Sequence, residues 1–123
     1  MIGVTATLYG IPNCDTVRCA RAWLQSQGCV VQFVDFKKTG VAADRLDAWV
    51  QAAGWERVLN RQGTTWRKLD EALRMAVVDA ASATKMMRDH ASVIKRPIVE
   101  WPDGAITVGF DTADWARRIP SVN

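Results

Sequence analysis

The chain has 123 residues, 49% of them hydrophobic and 24% charged, with a formal net charge of +3. That length supports one globular domain with a real core. No apolar run reaches the roughly 18–20 residues of a membrane span, and no Lys/Arg block argues for direct nucleic-acid binding.

The first segment, Met1-Ile2-Gly3-Val4-Thr5-Ala6-Thr7-Leu8, has neither the basic region nor the cleavage site of a secretory leader. Three cysteines, an odd number, argue against a structural disulfide framework and for a reducing, cytoplasmic setting. With one histidine and no C-x2-C spacing, no zinc or iron–sulfur site is expected.

Residues 6–10 read as a first strand and 15–27 as a helix, with Val17, Ala20 and Leu24 on one face and Gly28 as its stop. Residues 30–36 are β-branched and aromatic and read as a second strand. A helical crossover makes it parallel to the first, in a right-handed βαβ unit. From about 42 to 90 the chain is rich in Ala, Leu, Arg, Lys and Met, and predicts short helices over 43–53, 55–59, 68–80 and 82–89. Met75, Met86 and Met87 are expected in their core, and His90 at a surface helix end. Asp103-Gly104 between two apolar runs predicts a hairpin over 97–109. A last helix over 111–118 is capped by Asp111 or Thr112. The order βαβ, helices, ββα describes a thioredoxin-like α/β fold, with a helical insertion between the second and third strands of a single domain over 1–123.

Cys14 lies where the first strand hands over to the helix, in Tyr9-Gly10-Ile11-Pro12-Asn13-Cys14-Asp15-Thr16. Unpaired N–H groups and the helix dipole favour an anion there, and thiolate is the nucleophilic form of cysteine. Asn13 and Thr16 keep the surroundings polar. Arg18, one turn on, offsets the charge of Asp15. Cys19 stands five residues away, about 8–9 Å along a helix, too far to bridge without distortion. Val17 occupies the place of a C-x-x-C partner, so a resolving thiol has to come from outside. Cys19 and Cys29 are read as structural.

Together with Gly63-Thr64-Thr65-Trp66-Arg67-Lys68-Leu69 and Ile94-Lys95-Arg96-Pro97-Ile98, the Cys14 segment resembles the ArsC-like family of thioredoxin-fold proteins. That family includes glutaredoxin-coupled arsenate reductases and the Spx regulators, and the chain is most similar to its YffB-like branch. The resemblance implies a nucleophile at Cys14, an anion-binding Arg96 and a cis peptide before Pro97. It also implies that Asn13, Thr16, Arg18, Arg61 and Pro97 contact substrate or glutathione. Gly10 stands where arsenate reductases carry a histidine, Asn60 and Gly109 where they carry their second and third arginines, and Gln62 where Spx- and YffB-like members have arginine. Arsenate is therefore not the expected substrate.

The reading is a monomeric thiol-dependent reductase with no bound cofactor, with glutathione as co-substrate and glutathione or a glutaredoxin as thiol partner. The alternative is an Spx-like regulator that binds RNA polymerase, although the C-x-x-C switch of such regulators is absent.

Overall fold

The computed structural model describes residues 4–119; Met1, Ile2 and Gly3, part of the segment read for a leader, lie outside them. The described residues divide into two compact units: a sheet unit formed by residues 4–35 and 96–119, and a helical unit formed by Phe36–Lys95.

In the sheet unit, β1 (Thr5–Gly10) leads through a turn into α1 (Asp15–Ser26), and the chain returns along β2 (Val30–Asp35). β1 and β2 pair in parallel, from Thr5 beside Val30 to Gly10 beside Asp35. β3 (Ile98–Glu100) lies antiparallel to β1 on its other side, and β4 (Ile106–Val108) antiparallel to β3. The sheet order is β2-β1-β3-β4, which contains the predicted parallel βαβ unit and the hairpin and joins them through β1 and β3. The hairpin turns through Pro102-Asp103-Gly104, where the Asp103 carboxylate accepts the Ala105 N–H at 2.9 Å and Gly104 takes φ +90°.

Val17, Ala20 and Leu24 of α1 are fully buried with Ala6, Leu8 and Val99, so the predicted face is the packed one. α8 (Thr112–Arg118) closes the unit, and Asp111 caps it by accepting the Asp114 N–H. Its Trp115 is buried in an aromatic cluster, 5.1 Å from Phe110 and 5.6 Å from Trp101 between centroids, the spacing at which edge-to-face rings attract.

The helical unit holds α2 (Phe36–Thr39), α3 (Ala43–Ala53), α4 (Trp55–Val58), α5 (Thr64–Arg67), α6 (Glu71–Met75), α7 (Ala80–Asp89) and a 3-10 turn (Ala91–Val93). Leu46, Trp49, Val58, Leu59, Ala83, Met86, Met87, Val93 and Ile94 are its buried residues beside Phe36. The stretch from residue 58 to 60 is stitched back to the unit's end: Asn60 N–H donates to the Val93 carbonyl at 2.8 Å, and Lys95 N–H to that of Val58 at 2.7 Å.

Three local expectations are corrected. Phe36 does not extend the second strand but opens α2, where its ring is fully buried. The single helix expected over 68–80 is broken: α5 ends at Arg67, α6 spans only Glu71–Met75, and the chain restarts at Ala80. The restart comes from a reciprocal cap. The Asp79 side chain accepts the Ser82 N–H at 2.9 Å, and Ser82 Oγ accepts the Asp79 N–H at 3.0 Å, which satisfies donors a continuous helix would not leave open. Met75 is not core filler but 71% exposed, unlike Met86 and Met87. Among the described residues no helix is long and apolar enough to cross a membrane.

Candidate functional site

Ile11-Pro12-Asn13 turn the chain from the end of β1 to Cys14, which is the N-cap residue of α1. Its backbone is extended, φ −131° and ψ 124°, and its carbonyl accepts the Arg18 N–H at 2.9 Å. A helix N-cap is ordinarily Ser, Thr, Asp or Asn, whose oxygen accepts a first-turn N–H. Cys14 makes no such side-chain bond. Its sulfur therefore belongs to the residue that opens a twelve-residue helix, where the peptide dipoles favour negative charge. Cys14 is half-buried against the edge of the sheet unit's core, while Asn13 and Thr16 are exposed.

The other thiols differ in kind. All three cysteines are free, Cys19 exposed on α1 and Cys29 buried. Burial pushes the Cys29 thiol up from its ordinary value, against a smaller opposing effect of its hydrogen bond with the Ala6 backbone. Arg18 pairs with Asp15 on the exposed surface of the first turn. The acid next to Cys14 is thus matched by a cation one turn on.

The register places Arg96 and Pro97. β3 enters the sheet at Ile98, directly beside Tyr9, so the two residues before it lie at the end of β1 where the turn toward Cys14 begins. The Arg96–Pro97 peptide is cis, as the resemblance implies. Pro97 is buried and Arg96 half-buried. The Pro97 carbonyl accepts the Gly109 N–H at 2.8 Å, which brings the position of the third family arginine beside the proline. No side chain projects from it here, and Gly109 takes φ +89°.

Gly10, at the histidine position, is closed by packing. A Cβ built on it would stand 2.8 Å from Val17 Cγ2 and 3.2 Å from Cγ1, and Val17 is fully buried. Glycine lets α1 approach the end of β1 this closely.

Arg61 belongs to the helical unit, its guanidinium 5.4 Å from the centre of the Trp55 ring, a cation–π distance. Asn60, where the resemblance implies a second arginine, shapes its own loop: its Oδ1 accepts the Gln62 N–H at 3.1 Å. A Cβ on Gly63 would meet Asn60 Nδ2 at 2.8 Å. The Arg67 guanidinium donates to the Gln62 carbonyl. The Gly63-Thr64-Thr65-Trp66-Arg67 motif thus folds back on the loop before it. Asp79 and Ser82, three residues apart, carry in the sequence the signal for the start of α7, which the expected helix over 68–80 runs across. No sequence pattern signals the contact between positions 10 and 17.

The ArsC family profile matches residues 9–118. A solved structure of a YffB protein is 42% identical, covers 94% of this chain and 99% of its own, and superposes with a TM-score of 0.87. An arsenate reductase (ArsC) related protein from Brucella melitensis is 46% identical over 92% of each chain, with a TM-score of 0.72. A protein of Haemophilus influenzae is 33% identical over 109 residues, 89% of this chain and 94% of its own length. The sheet order and these matches make the fold thioredoxin-like.

Proposed function

The chain belongs to the ArsC family, and from that membership and the place of Cys14 we propose that it is a thiol reductase acting on glutathione mixed disulfides. The family fold supports a thiol-redox role. The observation that carries the finer reading is Cys14 as a half-exposed N-cap without a capping bond, at the sheet end where Arg96 and Pro97 precede β3.

In the proposed cycle the Cys14 thiolate attacks the glutathione sulfur of a mixed disulfide. The substrate's S–S bond breaks, a bond between Cys14 and glutathione forms, and the substrate leaves as thiolate and takes a proton from solvent. A second glutathione thiolate then attacks the glutathione sulfur on Cys14. This releases glutathione disulfide and restores the Cys14 thiolate, and glutathione has supplied both electrons. Arg96 steadies the carboxylates or the departing thiolate, since charge-assisted bonds from arginine are strong and directional. Asn13, Thr16 and Arg18 flank the entering ligand, and the cis-proline segment offers it main-chain partners. A glutaredoxin is the protein partner that fits the second half of the cycle, in the reducing cytoplasm.

Val17, fully buried at the place of a C-x-x-C partner, deprives the regulator reading of its dithiol switch. The test is mass spectrometry after incubation with glutathione disulfide. A single glutathione adduct on Cys14, absent in Cys14→Ser and removed by added glutathione, is expected. An adduct on Cys19 that forms equally well in Cys14→Ser overturns the assignment.

A further inference from the structure

Two arginines follow Cys14 along the same side of α1. Arg18 and Arg21 stand four and seven residues after it, the spacing that stacks side chains on one helix face. Their surroundings differ. Arg18 is exposed, and its charge is met by Asp15. Arg21 is half-buried, and among the described residues it forms neither an ion pair nor a hydrogen bond with a carboxylate. Its guanidinium lies instead over the Phe33 ring, 4.1 Å from the centroid. Phe33 stands on β2 beside Leu8 and packs against the core of the sheet unit, so the ring is a fixed support.

A ring occupies the face of a stacked guanidinium and leaves the N–H groups at its edge to donate. Holding the side chain there removes part of the entropy an arginine loses on binding. Arg21 is thus a positioned cation without a counter-charge, on the thiol's side of the helix. Seven residues span roughly 10 Å of helix axis, and helical side chains lean back toward the N-terminus. A group joined through sulfur to Cys14 can therefore bring a carboxylate to it. We propose that Arg21, held by Phe33, is a specificity residue that binds a carboxylate of the disulfide reacting at Cys14. The inference rests on the thiol-reductase reading above. The carboxylate belongs either to a glutathione half or to an acidic residue beside the substrate's cysteine. In both cases the planar fork donates parallel hydrogen bonds to the carboxylate oxygens. Phe33 acts through Arg21, as a positioning residue.

The test compares the rates at which three disulfides modify Cys14: uncharged 2-hydroxyethyl disulfide, glutathione disulfide, and the disulfide of an end-blocked peptide with Glu beside its cysteine. Each reaction forms one S–S bond to Cys14, breaks that of the probe and releases the probe's other half as thiolate. In Arg21→Gln the rate with a carboxylate-bearing disulfide, relative to 2-hydroxyethyl disulfide, should fall at least about threefold at low salt. The difference should vanish near 1 M salt, where the Debye length is about 3 Å. A fall with glutathione disulfide assigns the carboxylate to glutathione, and a fall with the peptide alone assigns it to the substrate. Phe33→Leu keeps the charge but removes its support. It should lower the same ratio by a smaller factor, which decides the matter if Arg21→Gln misfolds. A ratio that neither substitution moves, or rates that fall alike for all three disulfides, would overturn the proposal. If Cys14 of the natural chain reacts with none of them, the thiol-reductase reading itself fails, and this inference with it.

Discussion

Gly10 and Val17 touch so closely that position 10 has no room for a side chain: a Cβ there would lie 2.8 Å from Val17 Cγ2. Valine is stiff at χ1 and Val17 is fully buried, so relief requires α1 or the end of β1 to shift. Gly10→Ala is expected to destabilise by about 1–3 kcal/mol in urea unfolding. Val17→Ala in the same chain should recover part of that loss, giving a strongly non-additive cycle. Simple additivity would mean the two positions do not compete for the same space.

The thiols should separate by reactivity. Alkylation with iodoacetamide followed by peptide mapping should find Cys14 modified first near neutral pH, because it alone opens a helix and is half-exposed. Cys29 should react last and only toward alkaline pH, since burial raises its thiol. Fastest labelling of Cys19 would move the reactive centre away from the β1–α1 turn.

Arsenate should be a poor substrate. The resemblance to arsenate reductases implies a charged donor at two positions that are glycines here, Gly10 and Gly109. At about 1.5–3 kcal/mol per charge-assisted bond, that is roughly two to four decades in affinity or rate. Arsenate turnover in a coupled glutathione–glutaredoxin assay should fall far below about 1 s⁻¹. Gly109→Arg should not rescue it simply: at φ +89° a side chain adds about 1–3 kcal/mol of backbone strain, visible as a lowered Tm. Efficient turnover by the natural chain would return arsenate to the list of substrates.

The last helix should carry a pH signature. A hydrogen bond from Arg118, 2.8 Å from Asp114 Oδ2, and the nearby charges of Arg118 and Arg117 hold the Asp114 carboxyl below its ordinary value. A carboxyl depressed in the folded state contributes stability above its unfolded value of about 3.9 and loses it as pH falls through the folded value. Asp114→Asn should therefore be less stable at neutral pH by up to about 1 kcal/mol, with the gap closing in acid. Urea curves from about pH 6 to about pH 2 check this. A gap independent of pH would assign the effect to packing.

Local rules were enough for the elements whose signals are short-range. The buried stripe of α1, the Asp103-Gly104 hairpin, the Asp111 cap and the slot of Cys14 at a strand-to-helix turn all rest on residues within a few positions of one another. Periodicity, turn chemistry and capping act over that distance, and the structure follows them. The motifs around residues 9–16, 63–69 and 94–98 also identified the family. Over residues 68–80 two local signals compete. Helix propensity alone carries 68–80 as one helix, because Ala, Leu, Arg and Met all favour it. The Asp79–Ser82 cap and the Arg67 and Arg74 bonds to backbone carbonyls break it, and leave Met75 in solvent. Tertiary structure decided what depends on long-range approach, Gly10 and Gly109 above all. Composition shows only that a side chain is missing there. The packing of Val17 against one and the Pro97 carbonyl bonded to the other show why, because steric closure and backbone pairing exist only once β1, α1 and the hairpin have been brought together.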